Sequence, residues 1–240
     1  MEGRQPVLEL LRTGKTINRL MVAKGEHHGS IKQIIALAKE RNIVLQLVER
    51  QYLNKLSETG AHQGVIAQIS PIEYLELDDV LEANQGNKNA FYLVLDGISD
   101  PHNLGSLIRT AETSGVTAVI IPKHRAAGVT ATVIKTSAGA AFHLPICRVT
   151  NLAMTIKTLK ENGCWIVGAD MDGTTMYQQD LTGPIALVVG SEGKGMSELV
   201  KKSCDFIVSI PMFGKINSLN ASVAGGLIMY EIVRQRKFSQ

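Results

Sequence analysis

The sequence predicts an α/β protein in two parts: a small mixed unit over residues 1–70 and a larger parallel-sheet domain over residues 90–240. Three observations predict it. From Ala90 onward, apolar runs of strand length alternate with helical patterns, and such strands imply a parallel sheet covered on both faces. Before residue 70 the alternation is tighter and the pieces are shorter. Between the two parts, residues 71–89 carry Pro71, five acids and the polar tip Gln85-Gly86-Asn87-Lys88-Asn89, which reads as a linker with room for a short helix.

In the first part, Pro6–Arg12 has helical spacing, Arg19–Ala23 reads as a strand, and Ile31, Ile34, Ile35 and Ala38 repeat as on a helix. Ile43–Val48 and His62–Ile69 follow as strands. In the second part the expected strands are Phe91–Leu95, Ala118–Ile121, Trp165–Gly168, Ile185–Val189 and Phe206–Ile210. The expected helices are Leu104–Thr113, Ala131–Gly139, Leu152–Asn162, Ser197–Lys201 and Asn220–Lys237. Sheets of this kind bind ligands beyond the carboxyl ends of their strands.

With 45% hydrophobic and 20% charged residues in 240, the chain has ordinary globular composition. Its apolar runs are too short to span a membrane. Met1-Glu2-Gly3-Arg4 leads straight into Val7, Leu8, Leu10 and Leu11 without an export signal, and Cys147, Cys164 and Cys204 stand far apart among apolar neighbours. Reduced core thiols and a cytoplasmic location are therefore expected, rather than disulfides or zinc. The histidines form no ligand-like cluster, so no metal is expected. Residues 1–70 carry ten Lys/Arg against six Asp/Glu, an excess compatible with RNA contacts and equally with a solvated surface.

Three loops at strand ends hold the unusual residues. The first, Leu95–Ala111, turns at Asp100-Pro101 and enters a helix with Asn103 as N-cap and Arg109 well inside it. The second, Val188–Ser197, has three glycines in six residues directly after an apolar strand, so its backbone approaches a ligand closely. It is neither G-x-G-x-x-G nor a phosphate loop, which argues against a dinucleotide-dependent oxidoreductase and an NTPase. The third, Ile210–Gly226, passes Pro211 and Gly214 before Ser218 or Asn220 caps a helix that begins with small residues. Taken singly, Arg109 reads as a solvated helix charge, Asn103 as a cap and Glu192 as a loop acid.

Together the loops carry N-x-G-x-x-x-R from Asn103 to Arg109, G-S-E-G-x-G from Gly190 to Gly195, and I-P-M-x-G-x-x-x-S-L-N-x-S-x-A from Ile210 to Ala224. In this order they resemble the signatures of the SpoU/TrmH (SPOUT) family of RNA 2′-O-ribose methyltransferases. Residues 1–70 resemble that family's small α/β, ribosomal-protein-like RNA-binding domain in Gly3-Arg4, Val7, Glu9-Leu10-Leu11 and Gly60–Ala67. The likeness spans nearly the whole chain and looks closest to bacterial enzymes that methylate guanosine in 23S ribosomal RNA.

The resemblance implies a parallel-sheet SPOUT catalytic domain with a C-terminal trefoil knot, and a homodimer packed through that domain with the last helix near the interface. It implies S-adenosylmethionine as methyl donor, with Gly190, Ile210 and Leu219 matching the family's cofactor contacts. A sulfonium methyl is already activated, so the demanding task is to align a weakly acidic hydroxyl with it. Arg109 is expected to act on the 2′-hydroxyl or its adjacent phosphate, with Asn103, Glu192, Ser218 and Asn220 positioning it and the substrate. The first unit is expected to bind folded RNA through Arg4, Arg12, Lys15, Arg19, Lys24 or Lys32, assisted by His27, His28 or His62. Two rivals stand beside this: methylation of transfer RNA, and a catalytically silent RNA-binding or assembly protein on the same scaffold.

Overall fold

The computed structural model describes residues 1–12, 15–25, 29–57 and 60–238. The chain divides into two compact units, Met1–Glu73 and Tyr74–Gln240. His27 and His28 lie outside the described residues.

The smaller unit runs α1 (Arg4–Arg12), β1 (Ile17–Ala23), α2 (Ser30–Glu40), β2 (Leu45–Val48), α3 (Arg50–Leu56) and β3 (Val65–Ile69). Central β1 pairs parallel to β2 and antiparallel to β3. Val7, Leu8, Leu10 and Leu11 of α1 and Ile31, Ile34 and Ala38 of α2 pack with Leu20, Val22, Val65 and Ala67. The intervening strand residues Met21 and Ile66 point the other way, as strand alternation requires, and meet Val48 and Leu53. His62 is buried: Asn54 Oδ1 lies 2.7 Å from its Nε2, and Nδ1 accepts from the Gly64 N–H at 3.0 Å. The expectation that His62 assists RNA binding is therefore corrected, because both ring nitrogens hold the turn before β3 and neither faces solvent.

The cations of this unit sort into bound and free. Arg12 pairs with Glu9 and Lys24 with Glu49, while Arg4 and Arg19 hydrogen-bond Gln63 and Gln68. Lys32 and Lys39, seven residues apart on α2 and so on one face, border a shallow concavity floored by Ile35 and Ala36.

The larger unit runs α4 (Leu77–Ala83), β4 (Phe91–Asp96), α5 (Pro101–Thr113), β5 (Ala118–Pro122), α6 (Ala131–Thr136), β6 (Ile146–Val149) and α7 (Leu152–Glu161). It continues with β7 (Trp165–Thr175), β8 (Ile185–Gly190), α8 (Glu198–Ser203), β9 (Phe206–Ser209) and α9 (Ala221–Phe238). All six strands pair parallel in the order β6-β5-β4-β8-β7-β9. Tyr92, Val94, Ile120, Ala186 and Val188 face one layer of helices, meeting Val80 of α4, Ile156 and Leu159 of α7 and Val200 of α8. The alternate residues face α5 and α9, where Gly225 of α9 lets Leu107 of α5 approach so closely that a Cβ would lie 2.6 Å from its Cδ2. This is the reason for the small residues at the start of the last helix.

Residues 74–89, within the stretch expected as a linker, pack on this larger unit. The Leu75 N–H donates to the Ile146 carbonyl at 3.0 Å, Tyr74 Oη accepts from the Val129 N–H at 2.8 Å, and α4 buries Val80 and Leu81. After β9 at the sheet edge the chain returns as α9 against α5 and central β8. A return of this kind is the crossing that a knotted C-terminal segment needs. Among the described residues no helix is long and apolar enough to cross a membrane.

The three cysteines are free thiols, with Cys147 and Cys164 buried in the core and Cys204 half-buried. Burial pushes each thiol up to about 11 and the Tyr92 phenol to about 12.

Candidate active site

The first motif begins α5, but the helix starts earlier than expected. Asp100 is its N-cap, accepting from the His102 N–H at 2.9 Å, and Pro101 takes the first helical position, where a missing N–H costs nothing. Asn103 is thus corrected from cap to first-turn residue, and its amide is free to point elsewhere.

The second motif closes on itself. Fully buried β8 ends at Gly190, and beyond it Ser191 and Gly195 exchange backbone hydrogen bonds of 3.0 and 2.8 Å. The return strand comes so near that a Cβ on Gly190 would stand 2.2 Å from the Gly195 carbonyl carbon. Gly193 and Gly195 adopt φ of 79° and 65°, which L side chains resist. Asp96, at the end of β4, accepts from the Ser197 N–H at 2.7 Å and fixes where the turn leaves the sheet. Glu192 sits at the tip.

The third motif leads into α9, whose first turn Asn220 holds. Its Oδ1 accepts from Ser222 N at 2.9 Å and Oγ at 2.6 Å, while its Nδ2 donates to Asn103 Oδ1 at 2.9 Å and Glu192 Oε2 at 3.2 Å. Asn103 Nδ2 in turn donates to Glu192 Oε2 at 3.4 Å. One residue from each motif therefore meets in a closed triangle. Bonds to an ionised acceptor are the stronger kind, so the Glu192 carboxylate is its organising member.

Beside the triangle lies a cavity of about 370 Å³ at the carboxyl ends of β8 and β9 and beside the middle of β7. Glu192, Ser218, Gly190, Ile210 and Leu219 line it. So do Asp170, Met171, Met212 and Asn217, which the sequence analysis did not single out. Asp170 was hidden because β7 reads as ending at Gly168, and the acid-rich Asp170-Met171-Asp172-Gly173 after it was the available signal. Lys201 bridges Asp170 at 3.0 Å and Asp172 at 3.2 Å, and these carboxylates, Asp170 foremost, raise its pKa. Among the described residues no group of three or more His, Cys, Asp and Glu side chains is placed to hold a metal ion.

Arg109 stands apart. It is exposed, does not line the cavity, and has no hydrogen-bond or ion-pair partner among the described residues. One turn further along the same face, Thr113 Oγ1 accepts from Tyr230 Oη at 3.3 Å, which puts this face next to α9. There Val223, Leu227 and Tyr230 form an exposed apolar stripe at helical spacing.

A parallel α/β unit with its cavity built from loop backbone at the strand ends is the architecture of the SPOUT class of methyltransferases, and comparisons with known proteins agree. Residues 90–230 match the SpoU rRNA methylase family, and residues 1–75 match the RNA 2′-O ribose methyltransferase substrate-binding family. The Bacillus subtilis (strain 168) protein YacO, assigned to the TrmH family of tRNA/rRNA methyltransferases, is 48% identical over 236 residues, covering 98% of this chain and 94% of its own. Among solved structures, the SpoU methyltransferase AviRb of Streptomyces viridochromogenes in complex with AdoMet superposes with a TM-score of 0.63 at 25% identity. That match covers 98% of this chain and 89% of AviRb. An AdoMet-bound rRNA methyltransferase of Sinorhizobium meliloti has the same fold, with a TM-score of 0.63 at 23% identity over 100% of this chain and 87% of its own. The chain belongs to the SpoU/TrmH family of RNA methyltransferases.

Proposed function

We propose that this protein transfers a methyl group from S-adenosylmethionine to a ribose 2′-hydroxyl, with a guanosine of 23S ribosomal RNA as target, acting in the cytoplasm as a homodimer. The observation that carries the proposal is the meeting of Asn103, Glu192 and Asn220 at the rim of one cavity. Its volume falls in the range of small-ligand pockets. Val189, Val208, Ile210, Leu219 and Ile228 offer apolar walls for a flat purine, and the Glu192 carboxylate in the lining suits a ligand that is cationic at sulfur and ammonium. The residues therefore fit the methyl donor, which supplies an activated methyl and needs no metal to do so.

The chain's own part is to hold and align. Gly190, Ile210 and Leu219 present backbone to the donor. The triangle fixes the third motif against the first, so Ser218, two residues before Asn220, keeps its place in the wall. The planar guanidinium fork of Arg109 suits binding the phosphate beside the target ribose and stabilising charge developing on the 2′-oxygen. Because Arg109 is exposed and does not line its own chain's cavity, and its helix packs beside the exposed stripe of α9, our reading is that a second copy seated on that stripe takes Arg109 into its own site. Lys32 and Lys39, with no carboxylate partner among the described residues, suit the phosphates of the RNA body.

The test incubates the protein with labelled S-adenosylmethionine and unmodified ribosomal or transfer RNA, then maps alkali-resistant linkages. Label at a guanosine of 23S RNA is expected. Label confined to transfer RNA overturns the target, and no label in either pool favours the silent binder.

A further inference from the structure

The loop between β9 and α9 touches the cavity twice and leaves it in between. Met212 and Asn217 line the cavity, while Phe213-Gly214-Lys215-Ile216 project into solvent. Phe213 is 96% exposed and Ile216 77%. Folding gains nothing from a phenyl ring held in water, so the ring serves something that arrives later. Lys215, two residues on, has no hydrogen-bond or ion-pair partner among the described residues, and neither has Lys194 beside Glu192 in the second motif. An aromatic face with an unpaired cation two residues along the same loop suits a ligand with flat faces and negative charge. RNA has both.

We propose that Phe213 is the stacking platform for an unpaired nucleobase at the target nucleotide, with Lys215 against the adjoining phosphate, so that this loop selects a single-stranded or looped-out target. This rests on the methyl-transfer function proposed above. The covalent geometry of a nucleotide supports it: the base is bonded to the ribose carbon next to the one bearing the 2′-oxygen. When that oxygen enters the mouth of the cavity, the base must lie on its rim, where Phe213 stands. Bases in unpaired RNA are commonly read by stacking on aromatic side chains, and a duplex withholds those faces.

Trp165 is the only tryptophan, so Phe213→Trp in a Trp165→Phe background places a single indole at the loop. A short single-stranded RNA oligonucleotide should quench that indole saturably, and the same strand annealed to its complement should not. Phe213→Ala should raise the KM for a 23S transcript about tenfold or more, with Phe213→Trp restoring it. Its affinity for S-adenosylmethionine by calorimetry and its sedimentation should match the parent protein's. Equal quenching by duplex, an unchanged KM, or a shift in oligomeric state for Phe213→Ala would overturn the proposal. Quenching by single strands in a protein that methylates no RNA would support the stacking contact while sinking the methyl-transfer function, and methylation without quenching would do the reverse.

Discussion

In the smaller unit Lys32 and Lys39 stand as separate long side chains on a helix face, a concavity apart and unpaired among the described residues, whereas in the larger unit the polar groups of three loops are locked onto one another through Asn103, Glu192 and Asn220. The difference follows from what each surface must do. A polyanion is held by many exchangeable charge contacts, each worth little and each weakened by salt. In-line transfer of a methyl group needs fixed geometry, and small misplacements are expensive. One region should therefore fail gradually under mutation and the other abruptly.

The largest effect is expected from Gly190→Ala, whose added methyl would overlap the returning backbone at Gly195 and Met196. It should lower stability by about 1–3 kcal/mol and abolish calorimetric heat with S-adenosylmethionine, because the second-motif turn cannot close. Retained donor binding would show that the turn gives more freely than the locked-loop picture allows. Next comes Arg109→Lys, which keeps the charge but loses the planar fork. Turnover should fall on the order of a hundredfold with donor affinity unchanged, and near wild-type turnover would remove Arg109 from the chemistry.

The double replacement of Lys32 and Lys39 by Ala should do less. RNA affinity is expected to weaken several-fold and the log–log salt slope to flatten by about 1.5, with kcat at saturating RNA unchanged. An unaltered salt slope would move the RNA face elsewhere on the unit. The smallest effect separates the units by pH. Cys147 and Cys164 rise from 9.0 to about 11 in the folded chain, and Tyr92 from 10.0 to about 12. A raised pKa means the folded state holds its proton longer than the unfolded one. Stability is thus intact below about pH 9 and drains away as pH climbs toward 11 for the two thiols and toward 12 for the phenol. All three groups belong to the larger unit, so its melting temperature should drop by a few degrees across that window while the smaller unit's holds. Parallel melting of both would refute the assignment.

The sequence made the parallel sheet legible because five of its strands contain an apolar run of three to five residues, as strands covered on both faces must. It missed β6, where Arg148 interrupts a four-residue strand, and α3, whose seven residues bury only Leu53 and so carry no readable period. At the site, motif spacing found the residues of the triangle but not the triangle, since Asn103 and Asn220 lie 117 positions apart and only the fold brings them to hydrogen-bond distance. That Arg109 stays outside the cavity was equally out of reach, because spacing says only that it lies on a helix.

The last helix is fastened at its far end too. The Arg236 guanidinium lies over the Phe91 ring, 5.1 Å from its centroid, and donates to the carbonyls of Asn89, Ala90 and Gly183, and burial lowers its pKa. With Asn220 tied at one end and Arg236 clasped at the other, about 24 Å apart at about 1.5 Å per residue, the helix is anchored at both ends of the sheet, and Ala221, Ala224 and Ile228 on it form part of the cavity wall.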